Sequence, residues 1–422
     1  MTEQLTSNKF LFKDKIFFVF FAIFYLIYSI QSPLTFIGAN FIAVIVMLKF
    51  GLINDLRKAS NLFNIFFFLF CILGLSIFNF FIFNEELVRY FSVSFILFQF
   101  VFLFVANNNY SPTSFKVKKN NIILKLYLLF FIYIGFLSAF IFYYKTGFIP
   151  ILKGLTPDER VAVQAGNGFY LQFVRFGIYS SLIFYFFTKK KFLYFIVFLI
   201  LNLAMLGTGF RGEFVQFFFF FCLCVIVLKK IKVSIFKLFF LGLFTLVFVV
   251  SLEYLRTKED SDFFFFVLFN FGHSLSVAVY NFDFIIQRFD NFQWGLTFFH
   301  NFSMFLPGPD VDYTNWLTKQ VEMNFKGGIT PTIIGDFYVN FSKYLYIGIV
   351  FFAFFIKKVE NKIVNNQNSI LETVFWVNIS LLFARTVTGG LSNQTIQIFM
   401  TSIFILGAII VNKIMYESNT ST

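Results

Sequence analysis

Charge is scarce in this chain. Only 13% of its 422 residues are Asp, Glu, Lys or Arg, where a soluble domain carries about a quarter. With a hydrophobic share of 59% and a mean hydropathy of +0.79, that shortage excludes a soluble globular domain. Cysteine is scarcer still. Cys71, Cys222 and Cys224 all fall inside apolar runs. That excludes a disulfide framework and leaves three small buried hydrophobes. With His273 and His300 as the only histidines, no Cys/His spacing suits a metal. Neither metal nor cofactor is expected. No small-residue cleavage site follows the first apolar run, from Ile16. It therefore reads as a membrane helix, not a removed signal peptide.

Phenylalanine is abundant instead, with 78 residues. Ile, Asn and Lys are also plentiful, which fits an AT-rich coding sequence and implies no cofactor role. The apolar residues come in runs long enough to cross a hydrocarbon core as helices. Spans are expected near 16–32, 34–50, 62–83, 90–106, 122–144, 169–187, 192–207, 213–228, 238–255, 344–356, 371–386 and 394–411. The tenth is short and is expected to begin nearer Phe337. The fold class is thus an all-α polytopic membrane protein of about twelve helices, one integral membrane domain over residues 1–422.

Charge orients it. An even number of spans puts both termini on one side. The loops on that side carry 21 of the 34 basic residues but only 6 of the 21 acids. By the positive-inside rule that side is cytoplasmic. The net charge of +13 is therefore topological and implies no nucleic-acid partner. The run 263–286 is apolar enough to span. Adding it as a thirteenth crossing would turn Lys357, Lys358 and Lys362 outward. It is instead expected at the outer interface or packed against the bundle. It would lie inside a large external segment, 256–343, before the tenth span.

Polar residues collect at three external places: the loop 145–168, the turn GTGFRGEF at 207–214, and the segment 256–343. Arg160, Arg175, Arg211, Arg256 and Arg385 mark the outer ends of spans. An arginine at membrane depth faces the bundle interior or a wet cavity by default. Planar guanidinium groups suit phosphate oxygens. Any one of them could equally snorkel to headgroups or pair with Glu213 or Glu253. At Arg211, Gly207, Gly209 and Gly212 permit a tight turn and close approach of a ligand to backbone amides. His300 could serve as a general base or be a hydrogen-bonded structural residue. His273 has no supporting pattern. In GGITPTIIGDFYVNF, Gly327, Gly328, Pro331 and Gly335 shape a loop re-entering the membrane. There Asp336 is either a helix-capping acid or a carboxylate that activates a hydroxyl, or holds the group that does.

Four stretches together resemble a known family, the Wzy-type polymerases of bacterial O-antigen and capsular polysaccharide, or oligosaccharide repeat unit polymerases. They are LGTGFRGEFVQFF; GLTFFHNFSMFLPGPD running on through GGITPTIIGDFYVNF; DERVAVQAGNG; and Arg385 at the end of the penultimate span. The likeness covers most of the chain in topology and about fifty residues in motif. Ser342 stands where the family often has glycine. An arginine–ten residues–glycine spacing is not met by Arg160, since Leu171 falls there.

The resemblance implies a GT-C-like architecture in the bacterial inner membrane. It implies transfer of a growing glycan from undecaprenyl diphosphate to a new lipid-linked repeat unit. Arg211, Arg160, Arg256 and Arg385 become diphosphate candidates. Asp336, Glu213 and His300, in that order, become candidates for the acceptor proton. Gly212, Gly327, Gly328, Tyr338 and Asn340 would contact substrate, and Tyr338 and Trp294 could stack on sugars. Partners would be the lipid-linked oligosaccharide, the bilayer, and a chain-length regulator and flippase of the same pathway. A lipid-linked glycan ligase, faintly favoured by His300–Asn301, is the nearest alternative. A flippase would need polar residues at mid-depth and two comparable halves.

Overall fold

A computed structural model describes residues 12–105, 122–153, 159, 163, 167–209, 211–231, 233, 251, 263–305, 312–322, 328–365 and 370–418. These residues are almost entirely helical, with no strand among them. Five helical stretches are long and apolar enough to cross a membrane: Ala59–Asn79, Glu85–Phe104, Ile122–Thr146, Ile333–Val364 and Ile370–Asn412. Shorter apolar helices accompany them. Large side chains such as Phe41, Phe140 and Phe192 point outward, while polar groups such as Asn64, Gln99 and Asn378 are buried. An apolar exterior with paired polar groups inside is what a bilayer demands. The protein is an all-helical, membrane-embedded chain.

The elements run α1 (Phe12–Ser29), α2 (Pro33–Lys49), α3 (Ala59–Phe67), a π-helical turn (Phe68–Leu73), α4 (Gly74–Phe81), α5 (Glu85–Phe104) and α6 (Ile122–Thr146). Next come α7 (Gly168–Phe187), α8 (Lys191–Gly207), α9 (Arg211–Leu228) and α10 (Phe263–Arg288). Last are α11 (Tyr313–Gln320), α12 (Ile333–Phe341), α13 (Leu345–Asn365) and α14 (Ile370–Ser418). Local chemistry starts several of them. Ser32 and Thr35 form a capping box before α2, with Pro33 in its first turn. Asn84 accepts from the Glu86 and Leu87 amides at the head of α5. Glu360 of α13 does the same for α3 from a distance, accepting from the Ser60 amide at 3.1 Å and from its hydroxyl. Lys357, expected in a cytoplasmic loop, is instead buried against Glu360 at 2.6 Å.

Two of the long stretches fold back on themselves. In α14, Gly390 has φ 73° and breaks the helix. The Tyr179 hydroxyl donates to Asn378 at 3.0 Å and accepts from Thr401 at 3.4 Å. On a straight helix those two residues would lie about 35 Å apart. The segment is therefore a hairpin with arms 370–389 and 391–418, matching the two spans expected there. The stretch Ile333–Val364 also reverses. Ser342 has φ 52°, and the rings of Phe337 and Phe352 are 5.9 Å apart. Fifteen residues of straight helix would separate them by about 22 Å. So α12 is a short helix laid against α13, and the apolar stretch that includes Phe337 turns at Ser342 before α13 begins at Leu345.

Helix α10 decides between two expected placements. The Leu275 carbonyl packs on Gly74, Tyr280 lies beside Phe78, and Asp283 accepts from Asn84 at 2.6 Å. It thus runs alongside the π turn and α4 in the same direction. Its 26 residues reach about 39 Å. Of the two placements expected, it takes the one packed against the bundle, and not the outer interface. The expected span 238–255 lies outside the described residues.

Candidate functional site

Helices α7, α9 and the α14 hairpin bring two arginines together. Arg175 grips Glu213 bidentately, Nε to Oε2 at 2.9 Å and Nη2 to Oε1 at 2.5 Å. Its Nη1 donates to Gln172 at 2.8 Å. Arg385, on the first arm of the hairpin, donates through Nη1 to Gln216 and, at 3.3 Å, to Gln397 on the second arm. Among the described residues, Nε and Nη2 of Arg385 have no protein partner. Arg175 and Glu213 expose only 18% and 9% of their side chains. Glu213 bonds Arg175 alone while Arg385 stands close to both, so the centre keeps a net positive charge. A cation so placed in low dielectric attracts an anion strongly.

A polar column continues below this centre. Tyr179 lies one turn from Arg175, Asn378 two turns from Arg385, and Thr401 one turn from Gln397. Tyr179 links the other two. Asn378 Nδ2 and Gln394 Oε1 are buried without a partner. Helical spacing was the signal for these residues. Polar side chains recurring at three, four and seven residues inside apolar spans share one face with the arginines. Gln172, Gln216, Gln397, Tyr179 and Asn378 were missed because each is unremarkable singly.

The candidates from the GTGFRGEF turn separate. Gly209 has φ 93° and makes the turn into α9. Arg211 opens that helix, and its side chain lies outside the described residues. Glu213 turns to Arg175. Gly207 is filled by the Tyr143 hydroxyl, whereas Gly212 is exposed with open space beside it. Arg160, Arg256 and Gly327 lie outside the described residues.

Asp336 has a different task from the one expected first. It is fully buried. Oδ1 accepts from the Tyr313 and Ser392 hydroxyls, each at 2.7 Å, and Oδ2 accepts from the Ser392 amide at 2.7 Å. Hydrogens run in one direction: Asn340 Nδ2 donates to Thr297 at 2.6 Å, Thr297 shares 2.7 Å with Ser392, and Ser392 donates to Asp336. A Cβ on Gly390 would lie 3.0 Å from that of Asp336. Asp336 therefore caps the second arm of the hairpin, bolts α11 to it, and fits only beside a glycine. Both oxygens are buried and spent on these bonds, which marks a structural task. Asn340 is structural too, since its Oδ1 accepts from the Gly295 amide at 3.0 Å.

The remaining candidates lie in the segment before α13. His300 packs edge-on against Trp316 at 4.6 Å. Its Nδ1 is buried and unpartnered, and burial lowers its basicity below the usual histidine value. Gly328 packs against Thr314 and Asn315 of α11. Trp294 is 70% exposed, and Tyr338 sits in an aromatic cluster with Tyr90, Phe282 and Phe292. His273 is exposed on α10. Among the described residues, no group of three or more His, Cys, Asp or Glu could hold a metal.

Comparison with protein-family models, with curated proteins and with solved structures finds no match for this chain.

Proposed function

We propose that the protein is a glycosyltransferase that polymerises undecaprenyl-diphosphate-linked oligosaccharide repeat units at the outer face of a bacterial cytoplasmic membrane. The observation that carries this reading is the buried arginine centre, in which Arg175 is paired with Glu213 while Arg385 is held by Gln216 and Gln397 alone. Glycosyl transfer from a lipid diphosphate breaks the anomeric C–O bond, and the electron pair stays on the diphosphate oxygen. Fixed donors waiting for that charge lower the barrier. In this reading Arg385, with Arg211 at the head of α9, receives the diphosphate. The Arg175–Glu213 pair holds the surrounding helices and field. The acceptor hydroxyl attacks the anomeric carbon and loses its proton to His300, the candidate base that is only half-buried; Glu213 is buried with both oxygens committed to Arg175.

The topology in this reading is twelve crossings with both termini cytoplasmic. The parallel run of α10 with α4 favours α10 as the ninth crossing. The count stays even, and Lys358 and Lys362 stay inside. The ligase alternative loses its one sequence support. Asn301 spends its side chain on the Ser392 carbonyl and the Tyr313 amide.

The test is the glycan size profile of a deletion strain complemented with wild type or Arg385→Ala at matched protein level. The polymerase reading requires a single exported repeat unit on its final acceptor in both the deletion and the variant. Long polymer stranded on the lipid carrier would make the protein a ligase. Repeat units held on the cytoplasmic side would make it a flippase.

A further inference from the structure

The end of the bundle where α5 begins and α10 ends carries a second cluster that the arginine centre does not use. Three tyrosines from three helices meet there. Tyr90 of α5 lies 5.6 Å from Tyr338 of α12 and 6.3 Å from Tyr346 of α13, ring to ring. Phe292 closes one side at 5.8 Å from Tyr338. It is held there because the Gln293 and Trp294 amides donate to Val339 and Asn340 at 3.1 and 2.8 Å. The Glu86 carboxylate sits close to all three tyrosines, and Asp290 is close to Tyr338.

Within the cluster Glu86 engages the Tyr90 side chain, and neither carboxylate is needed to cap a helix. The head of α5 is already capped by Asn84, so Glu86 is not needed as a cap. Arg89 is taken by Glu85 at 3.0 Å. Among the described residues no cation pairs with Glu86 or Asp290, and both are exposed. The Tyr338 and Tyr346 hydroxyls have no protein partner among those residues and are not sealed from solvent. A membrane-interface aromatic belt would also use tyrosines. Such a belt meets phosphate headgroups, and two unpaired carboxylates would repel them.

We infer that this tyrosine–carboxylate cluster is a saccharide-binding subsite for a neutral or amino-bearing oligosaccharide. Ring edges and faces meet the apolar faces of sugars, while phenol and carboxylate oxygens take their hydroxyl or ammonium protons. Glu86 and Asp290 disfavour uronic acids and diphosphates, because Arg89, the cation near Tyr346, is already paired with Glu85. Tyr338 and Asp336 lie on opposite sides of α12. The subsite therefore stands across that helix from the hairpin and holds part of the glycan away from the reacting bond. Its place on the acceptor or donor chain rests on the polymerase reading; its chemistry does not.

The test uses the full chain in lipid nanodiscs on an array of neutral, amino-bearing and uronic-acid oligosaccharides. Wild type is expected to retain members of the first two groups only. Glu86→Gln should weaken that binding about tenfold and Tyr338→Phe by a few-fold. Preference for uronic acids, retention of no glycan, or equal binding by Glu86→Gln would overturn the subsite. Failure of the polymerase reading would show in the glycan size profile, with the array result unchanged.

Discussion

Asp336 offers the sharpest perturbation. Its carboxylate accepts three bonds at 2.7 Å while fully buried. Asp336→Ala leaves the Ser392 amide and the Tyr313 hydroxyl buried with nothing to bond. Each stranded donor costs about 1–3 kcal/mol. The second arm of the hairpin also loses its cap, worth about 1 kcal/mol. Together the loss is roughly 4 kcal/mol, a large share of the ~5–15 kcal/mol that holds a domain. Asp336→Asn keeps the shape and turns one donor against another, for about half that loss. Thermal unfolding of purified protein in detergent should therefore rank wild type above Asn, and Asn above Ala. The fall for Ala should be on the order of 5 °C. Activity per folded molecule should survive in Asn. A dead Asp336→Asn protein with an unchanged melting temperature would refute the structural role and return Asp336 to the list of bases.

Other outcomes follow from the same contacts. Glu213→Gln strips the charge from a buried pair, where loss of one partner costs about 3–5 kcal/mol; folded protein recovered from membranes should drop sharply. Replacing Arg175 and Glu213 together by Met and Leu should restore the yield but not the activity. Lys357→Ala leaves Glu360 charged and unpaired beside Ser60, so its melting temperature should fall by several degrees while glycan length among the surviving molecules stays wild-type. Burial holds the His300 pKa below 6.5. A group depressed in the folded state adds stability that is present above its unfolded value and lost as pH falls through the folded one. Wild type should therefore lose stability on acidification below about pH 6.5 more steeply than His300→Gln, as read by thermal unfolding across pH. Gln287→Cys on α10 should label from outside with an impermeant thiol reagent, and Phe263→Cys only after permeabilisation. Labelling of both from outside would remove α10 from the ninth crossing.

Much of the helix framework was legible in the sequence, because long apolar runs between basic loops leave few other options. α2 and α5 to α9 lie close to the spans expected, and the break at Gly390 falls between two of them. Reversals of direction were not legible. α12 runs into α13 across a single left-handed residue, Ser342, and hydropathy averages over such a turn. For α10 the sequence left two placements open, and only the contacts with Gly74 and Phe78 show it packed against the bundle. Asp336 was assigned a reactive role because its partners, Tyr313 and Ser392, are far away in sequence. The pairing of Arg211 with Glu213 had a warning within it. Residues two apart on a helix point to opposite sides, so Glu213 was free to meet Arg175.

The most direct measurement is made on purified protein in nanodiscs, given lipid-linked repeat units with a chelator present. Polymer length and released undecaprenyl diphosphate would be followed together. A ladder of lengths should form, with one lipid diphosphate released per bond. Arg385→Ala should abolish both while melting within a few degrees of wild type. Diphosphate release without a ladder, or a full ladder from Arg385→Ala, would contradict the assignment of the arginine centre to polymerisation.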